Sequence, residues 1–465
     1  MRKNATSAPT ACRLTVGLCM GLSTSFALAA VSAEEAAQLG KQLTPWGAES
    51  NANKAGTIPA FSDAKRPVPA AYDPKKPGLR PDPFADEKPL YSVNAANLAQ
   101  YKDIVSSGVQ EMLRKYPAMR LDVYPTHRMQ RYSKAVIDNT LKNATTCKTT
   151  ADGQMIEGCL PGVPFPIPKT GAEVMWNHTL RYTAPSMDAH WSSYNVDAGG
   201  GVTLVSESPG YYQYPIYLPE NINKPVGPDS VVWRTYYNTV APARKAGEKG
   251  VFVTSVDARK FPAKVWQYLP GQRRVKLAPD LAYDTPNPQS SGGALMDESY
   301  AFMGAMDRFD FKLIGKRELL LLANPYKFSD GSLAVEKKYT KSFINPDVMR
   351  WELRRVWEVE ATLKPGLRHA YKTRKFYFDE DSPGCGIGEG YDAAGKIWRI
   401  ATCVYTPWYE TADQGHTELN FFFDLQAGTY VVNSDTAYGG YFYPSSQPKA
   451  SLFFTGDALA AGGVR

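Results

Sequence analysis

Histidine is scarce in this chain. The five are His127, His178, His190, His369 and His416, and none stands two or four residues from another, so no strand or helix face offers a paired-imidazole metal site. The six cysteines form no Cys-x-x-Cys motif, which removes the usual zinc and dithiol signatures. No Gly-x-Ser-x-Gly elbow is present. The glycine-rich run Gly384 to Gly390 resembles a phosphate loop only superficially, because a turn and a strand-like segment follow it rather than a helix. Beyond residue 33 no stretch approaches the ~20 apolar residues of a membrane span. Charge is close to balanced: the formal +7 falls to 7 − 3 = +4 when Arg2, Lys3 and Arg13 are set aside. That leaves no footprint for nucleic acid and no basic run for an anionic membrane.

What is present begins with an export signal. Arg2, Lys3 and Arg13 precede an uncharged apolar run from Leu14 to Ala30, and Val31-Ser32-Ala33 supplies small residues for cleavage near Ala33. Leu18 before Cys19 is too large for a lipoprotein site, so lipid anchoring is not expected. The mature chain is expected in the periplasm of a Gram-negative cell. Removing residues 1–33 leaves Cys147, Cys159, Cys385 and Cys403. Of three possible connectivities, the local pairs Cys147–Cys159 and Cys385–Cys403 are favoured, as turn-closing disulfides of an oxidising compartment. Zinc is the rival use, without the spacing to support it.

Residues 34–93 are rich in Pro, Gly, Ala and Lys and read as an extended arm over the surface. The remainder, 94–465, reads as one domain of helices followed by strands. Helices are expected over 95–116, capped by Asn94, over about 129–141, and from Thr170, where Thr170 and Glu173 form a capping box. From Tyr194 to Asp435 the apolar period becomes two, with Gly, Pro, Asp and Asn turns between strands, the pattern of an antiparallel meander. One interruption carries Leu295, Phe302, Met303 and Met306 near one face of an expected helix over 292–309, preceded by Gly292-Gly293. Such a stripe is core packing or a lid of adaptable side chains.

The segment from Lys264 to Pro279 reads as a hairpin turning at Pro270-Gly271. Val265, Gln267 and Leu269 share one face, Trp266 and Tyr268 the other, and Arg273 and Arg274 open the return strand. A sheet with large groups on both faces covers both, or uses one to hold an apolar ligand. An ordinary sandwich pair is the plainer alternative. Paired carboxylates for a glycosidase exist in principle at Asp379, Glu380, Asp381, Glu410, Asp413 and Asp424, alongside abundant Trp and Tyr. Acidic residues at strand ends are equally turn formers.

Several strings resemble one proteobacterial family, catalogued as domain of unknown function 1329. They are LTPWGAESN with GTIPAF, DPFADEKPLYS, YPTHR, GVPFPIPKTGAEVMWNHTLRY, YLPGQRRV, FKLIGKREL, HAYKTRKFYFDEDS and YDAAGKIWR, in that order over nearly the whole mature chain. The resemblance implies a periplasmic protein similar in fold to the LolA/LolB lipoprotein carriers: a mainly β protein with one strongly curved antiparallel sheet, an open half-barrel, and helices on its concave side. It also implies work beside a transporter of the resistance-nodulation-division (RND) type and an outer-membrane partner. One departure is Pro383-Gly384-Cys385, where the family has Trp after the Asp-Ser pair.

No catalytic residue transfers from the family, so the expected site follows from the residues. A cavity bordered by Trp266, Tyr268, Phe302, Met303 and Met306 is expected to hold a lipid or other hydrophobic molecule, with Arg273 or Arg274 as contact for an anionic headgroup. No cofactor and no metal are expected. The alternatives are a structural adaptor that carries nothing and a carbohydrate-active enzyme. An apolar-lined pocket, a filled sheet interior and an exposed aromatic groove with two carboxylates would distinguish the three.

Overall fold

A computed structural model describes residues 31–278, 281–411 and 415–461. Most of the expected signal peptide, residues 1–30, lies outside the described residues, as does Asp413.

A short helix α1 (Ala33–Ala36) precedes a long stretch, residues 37–90, without helix or strand beyond isolated bridges. This arm is inserted rather than merely laid over the body. Trp46 is buried against Phe61 and Tyr132, with ring centroids 5.0 Å apart in each pair. Arg80 grips Glu410 at 2.6 Å and donates to the Phe442 carbonyl. Strand β1 (Tyr91–Val93) then leads into α2 (Leu98–Tyr101) and α3 (Ser107–Lys115). The single helix expected over 95–116 is therefore broken. Val105 is extended, and the Ser106 hydroxyl caps α3 by accepting from the Val109 N–H. The Gly108 N–H instead donates to Glu389 across the fold, at 2.6 Å. Beyond β2 (Leu121–Tyr124), α4 (Lys134–Thr146) starts later than the sequence pattern indicates because Ser133 is its cap. A small ladder, β3 (Lys148–Thr149) with β4 (Ile156–Glu157), is closed by the Cys147–Cys159 disulfide. Helix α5 (Gly171–Thr179) carries the Thr170–Glu173 capping box expected of it.

The sheet is built from β5 (Ser186–Val196), β6 (Val202–Gln213), β7 (Val231–Asn238), β8 (Lys249–Ser255), β9 (Lys264–Leu269), β10 (Arg274–Leu277) and β11 (Phe309–Leu322). After α6 (Val335–Lys338) follow β12 (Trp351–Leu363), β13 (Thr373–Asp379), β14 (Gly386–Tyr391), β15 (Ile397–Pro407), β16 (His416–Asp424), β17 (Thr429–Asp435) and β18 (Tyr441–Pro444), and then α7 (Gly456–Ala461). Pairing runs without interruption from β11 through β12 to β17, then β5 to β10, each strand antiparallel to the next. Strand β2 adds one parallel contact to the start of β12, so the sheet is mixed at that corner. The glycine-rich run is strand β14, which disposes of the phosphate-loop reading. Strands β10 and β11 end the path and do not pair with each other among the described residues, so the sheet is open.

Its curvature follows from distances. The Trp233 ring on β7 lies 6.2 Å from that of Tyr300, and the Phe376 ring on β13 lies 5.7 Å from that of Phe302. In a flat sheet those strands, seven spacings apart, would be about 34 Å from each other. Residues 300 and 302 span only ~7 Å of chain. The sheet must therefore curl around the segment that bears them. On the concave side α5 and residues 281–308 pack against Val265, Val359 and Phe378. The convex side is covered by α3 at one end and by Phe454 and Leu459 at the other.

Two expectations are corrected here. Residues 292–309 contain no α-helix: Met296–Glu298 is a single 3₁₀ turn, and Ser291, Gly292, Tyr300, Ala301 and Gly304 have positive φ. The segment folds back on itself, with the Met296 and Asp297 N–H groups donating to the Thr285 and Tyr283 carbonyls. Ion pairs pin the fold-back, outweighing the helical stripe. Asp297 bonds Arg374 at 2.8 Å and His369 at 2.9 Å, while Glu298 bonds Tyr371 and Arg399. Cys385 and Cys403 are both buried free thiols rather than a disulfide. The β14–β15 register sets Gly386, not Cys385, opposite Cys403, and the two thiols meet in a hydrogen bond without an S–S bond.

Candidate ligand-binding cavity

Between the folded-back segment and strands β7 and β8 lies a cavity of about 470 Å³, within the range of small-molecule sites. Its apolar wall has two sources. A register shift between Val231 and Trp233 defeats the usual alternation, so Val232 and Trp233 both face inward, beside Phe252 of β8. Opposite them, consecutive left-handed residues Tyr300 and Ala301 turn the chain so that Tyr300, Phe302, Met303 and Met306 form the other wall. Trp176 of α5 contributes a further aromatic surface.

Three arginines line the cavity, and each is already engaged. Arg181 holds Glu418 through two bonds, at 2.6 and 3.0 Å, with its guanidinium 4.8 Å from the Tyr300 ring centroid. Burial alone would raise the Glu418 carboxyl, but Arg181 and His416 together outweigh it and hold the group below the usual carboxylate range. Arg308 pairs with Asp284 at 3.0 Å and lies 3.6 Å above the Tyr283 ring. Arg259 pairs with Asp257 at 3.4 Å. The side chains of Arg259 and Arg308 are 38% and 28% exposed, which places them at the rim. Behind the wall, the His178 ring nitrogens sit 2.9 Å from the Phe302 carbonyl and 3.1 Å from that of Pro383. Burial first, and then the nearby Arg181 charge, push its pKa down to about 3 against the opposing pull of the two carbonyls, so the ring is neutral and donates to only one of them.

Past a waist formed by Trp233, Phe252, Met296, Tyr300 and Met303, which border both spaces, lies a smaller chamber of about 50 Å³. Its character is different. Asn287, Gln289, Asn420 and Asn433 line it, and no charged side chain does. Trp233 Nε1 and Asn433 Oδ1 are buried without a hydrogen-bond partner.

Of the residues expected to border a cavity, Phe302, Met303 and Met306 do so. Trp266 and Tyr268 do not. Alternation turns Val265 to the concave side, and Trp266 and Tyr268 pack on the convex side with Val251, Phe454 and Leu459. A Cβ on Gly456 of α7 would lie 2.6 Å from the Trp266 ring, which shows how closely that face is covered. Arg273 is a left-handed turn residue, and it and Arg274 are exposed, away from the cavity lining. The arginines that matter are Arg181, Arg259 and Arg308, scattered over loops and a helix end without a common motif. Val232 was hidden by a bulge and Tyr300 by a left-handed turn, whereas Trp233 keeps the alternation of β7 with Thr235.

The acids considered for catalysis are bound elsewhere. Asp379 holds Arg354 at 2.6 Å, Asp381 holds Arg128 at 2.7 Å, Glu380 holds Lys316 at 2.8 Å, and Asp424 holds Arg399 at 3.1 Å. None of them lines the cavity. Among the described residues there is no group of three His, Cys, Asp or Glu placed to hold a metal, and no helix long and apolar enough to cross a membrane.

Comparison with known proteins places this geometry in a family. The model of the family described as protein of unknown function (DUF1329) matches residues 92–460. The uncharacterized protein PA3922 of Pseudomonas aeruginosa is 34% identical over 455 residues, covering 96% of this chain and 97% of that one. Among solved structures, a DUF1329 family protein from Desulfovibrio piger is similar at 13% identity and a TM-score of 0.36, over 60% of this chain and 92% of that one. The LolA superfamily protein NE2245 from Nitrosomonas europaea is similar at 10% identity and a TM-score of 0.35, over 63% of this chain and all (100%) of that one.

Proposed function

The chain belongs to the DUF1329 family, and from that premise we propose that it is a periplasmic carrier of a lipid or other hydrophobic molecule. The observation that supports this most directly is the cavity of about 470 Å³ between Trp233 and Phe252 on the sheet and Phe302, Met303 and Met306 on the segment that plugs it. At ~30 Å³ per group it has room for about fifteen non-hydrogen atoms. Burying about 300 Å² of apolar ligand surface at ~25 cal/mol per Å² contributes roughly 7 kcal/mol, before the costs of ordering the ligand. That work requires no catalytic group. The hollow concave side disfavours an adaptor that carries nothing. A cavity whose carboxylates, Asp257 and Asp284, are paired with arginines at the rim disfavours a glycosidase.

Export is supported by the leader sequence and by the Cys147–Cys159 disulfide, a bond at home in an oxidising compartment. The working partners, an RND-type transporter and an outer-membrane protein, come from the family resemblance. The test is saturable uptake of a fluorescent fatty-acid probe by the purified mature protein, reversed by unlabelled lipids. Absence of uptake by folded protein, across fatty-acid and lipid probes, refutes the carrier reading.

A further inference from the structure

The small inner chamber deepens the carrier reading and rests on it. We infer that this chamber is a subsite for a neutral hydroxyl group, so that the cargo is a long-chain or polycyclic alcohol carried with its hydroxyl inward and its apolar body in the larger cavity. Three observations converge on it.

The first is the pair of orphaned atoms. Trp233 Nε1 can only donate and Asn433 Oδ1 can only accept; both atoms are buried without a partner, and both residues line the chamber. Burying such groups unpaired is costly, and a ligand that pairs them gains what the empty protein lacks. A hydroxyl is the small neutral group that answers a donor and an acceptor at once, its oxygen accepting from an N–H such as that of Trp233 and its proton going to an oxygen such as that of Asn433. A carboxylate or a ketone only accepts and leaves Asn433 Oδ1 unpaired.

The second is charge. No charged side chain lines the chamber, so an ionised headgroup would lose its hydration there without a counter-ion. The larger cavity gives it none either, since Arg181, Arg259 and Arg308 each hold a carboxylate of the protein itself. The third is size. A chamber of about 50 Å³ holds one or two groups the size of a water molecule and adjoins the apolar cavity through a waist of aromatic and thioether side chains. That is the layout for a small polar tip on a large apolar body.

Displacement of a naphthalene-based fluorescent probe by matched twelve-carbon ligands tests this. The ligands are dodecane, 1-dodecanol, 2-dodecanone and dodecanoate, and the proteins are wild type, Asn433→Leu and Trp233→Phe. Wild type is expected to bind 1-dodecanol about tenfold or more tighter than dodecanoate, and the alcohol-to-alkane affinity ratio is expected to fall about tenfold in each variant. Dodecane affinity should stay within about threefold of wild type in Asn433→Leu, whose side chain does not line the large cavity, which shows that the apolar cavity is intact in that variant. An alcohol-to-alkane ratio unchanged in both variants means that the chamber holds only water, and overturns the subsite. So does tighter binding of dodecanoate or 2-dodecanone than of 1-dodecanol. If dodecane and the other ligands bind without that selectivity, the carrier reading survives alone. If no ligand displaces the probe and none is bound in a direct assay, both fall.

Discussion

Replacing Met303 with aspartate puts the cavity to a quantitative test. Met303 is half-buried and borders both the large cavity and the inner chamber, so the new carboxylate enters ligand space rather than the packed core. In the free protein it stays hydrated by cavity water, and stability should change by no more than about 1 kcal/mol. An apolar ligand at the waist must strip that hydration. An uncompensated polar group costs roughly 2–7 kcal/mol. Taking ~3 kcal/mol, the dissociation constant should rise roughly 150-fold, since every 1.4 kcal/mol is tenfold. Met303→Leu keeps the volume and the apolar character and should cost less than about 1.5 kcal/mol. The assay is probe titration of wild type and the two variants, after circular dichroism and urea curves establish that all three are folded alike. A folded Met303→Asp protein that binds within about threefold of wild type would refute the reasoning, because no ligand could then pass that carboxylate without a measurable cost.

Arg181→Met leaves Glu418 buried with only His416, at 3.4 Å, beside it and should cost about 3 kcal/mol in urea unfolding, whereas Arg181→Met with Glu418→Gln should recover most of that loss. The neutral His178 carries a pH signature. Its native pKa is about 3, so between there and about 6.5 the unfolded chain binds a proton that the native state does not. Stability should therefore fall by about 2 kcal/mol from pH 6.5 to pH 5, and His178→Gln should flatten that slope. Glu418 acts in a lower window. Its depressed native pKa stabilises the fold above about pH 4.5 and ceases to as the pH falls through the native value. Reducing the Cys147–Cys159 bond, whose partners lie 12 residues apart, should destabilise the fold by about 3 kcal/mol. Alkylation of the unfolded, unreduced protein should label Cys385 and Cys403 and spare the other two.

The boundary between what was readable in the sequence and what was not runs along contact range. The capping box at Thr170, the period-two strands and the Pro270-Gly271 turn are set by neighbours a few residues apart, and they stand where the pattern puts them. Alternation also showed that the β9–β10 hairpin has two large faces. It does not say which face is concave, because the sense of curvature arises from pairing and packing across the whole sheet, and Trp266 and Tyr268 lie on the convex side. The Met/Phe segment was found but its conformation was not. Leu295, Phe302 and Met306 are buried as a helix stripe would bury them. The fold-back is fixed by partners some 70 to 100 residues away, such as Arg374 and Arg399. Val232 joins Trp233 on the inner face because of a bulge that leaves no mark in composition.

The central claim is that this protein carries a hydrophobic molecule, and native mass spectrometry of the chain purified from its own periplasm tests it most directly, with lipid extraction of the same sample. The account predicts about one bound neutral, hydroxyl-bearing amphiphile per chain, released on unfolding and greatly depleted in Met303→Asp. Folded wild-type protein that emerges at its bare mass, with no hydrophobic compound in the extract and none taken up on incubation with lipids, would contradict it.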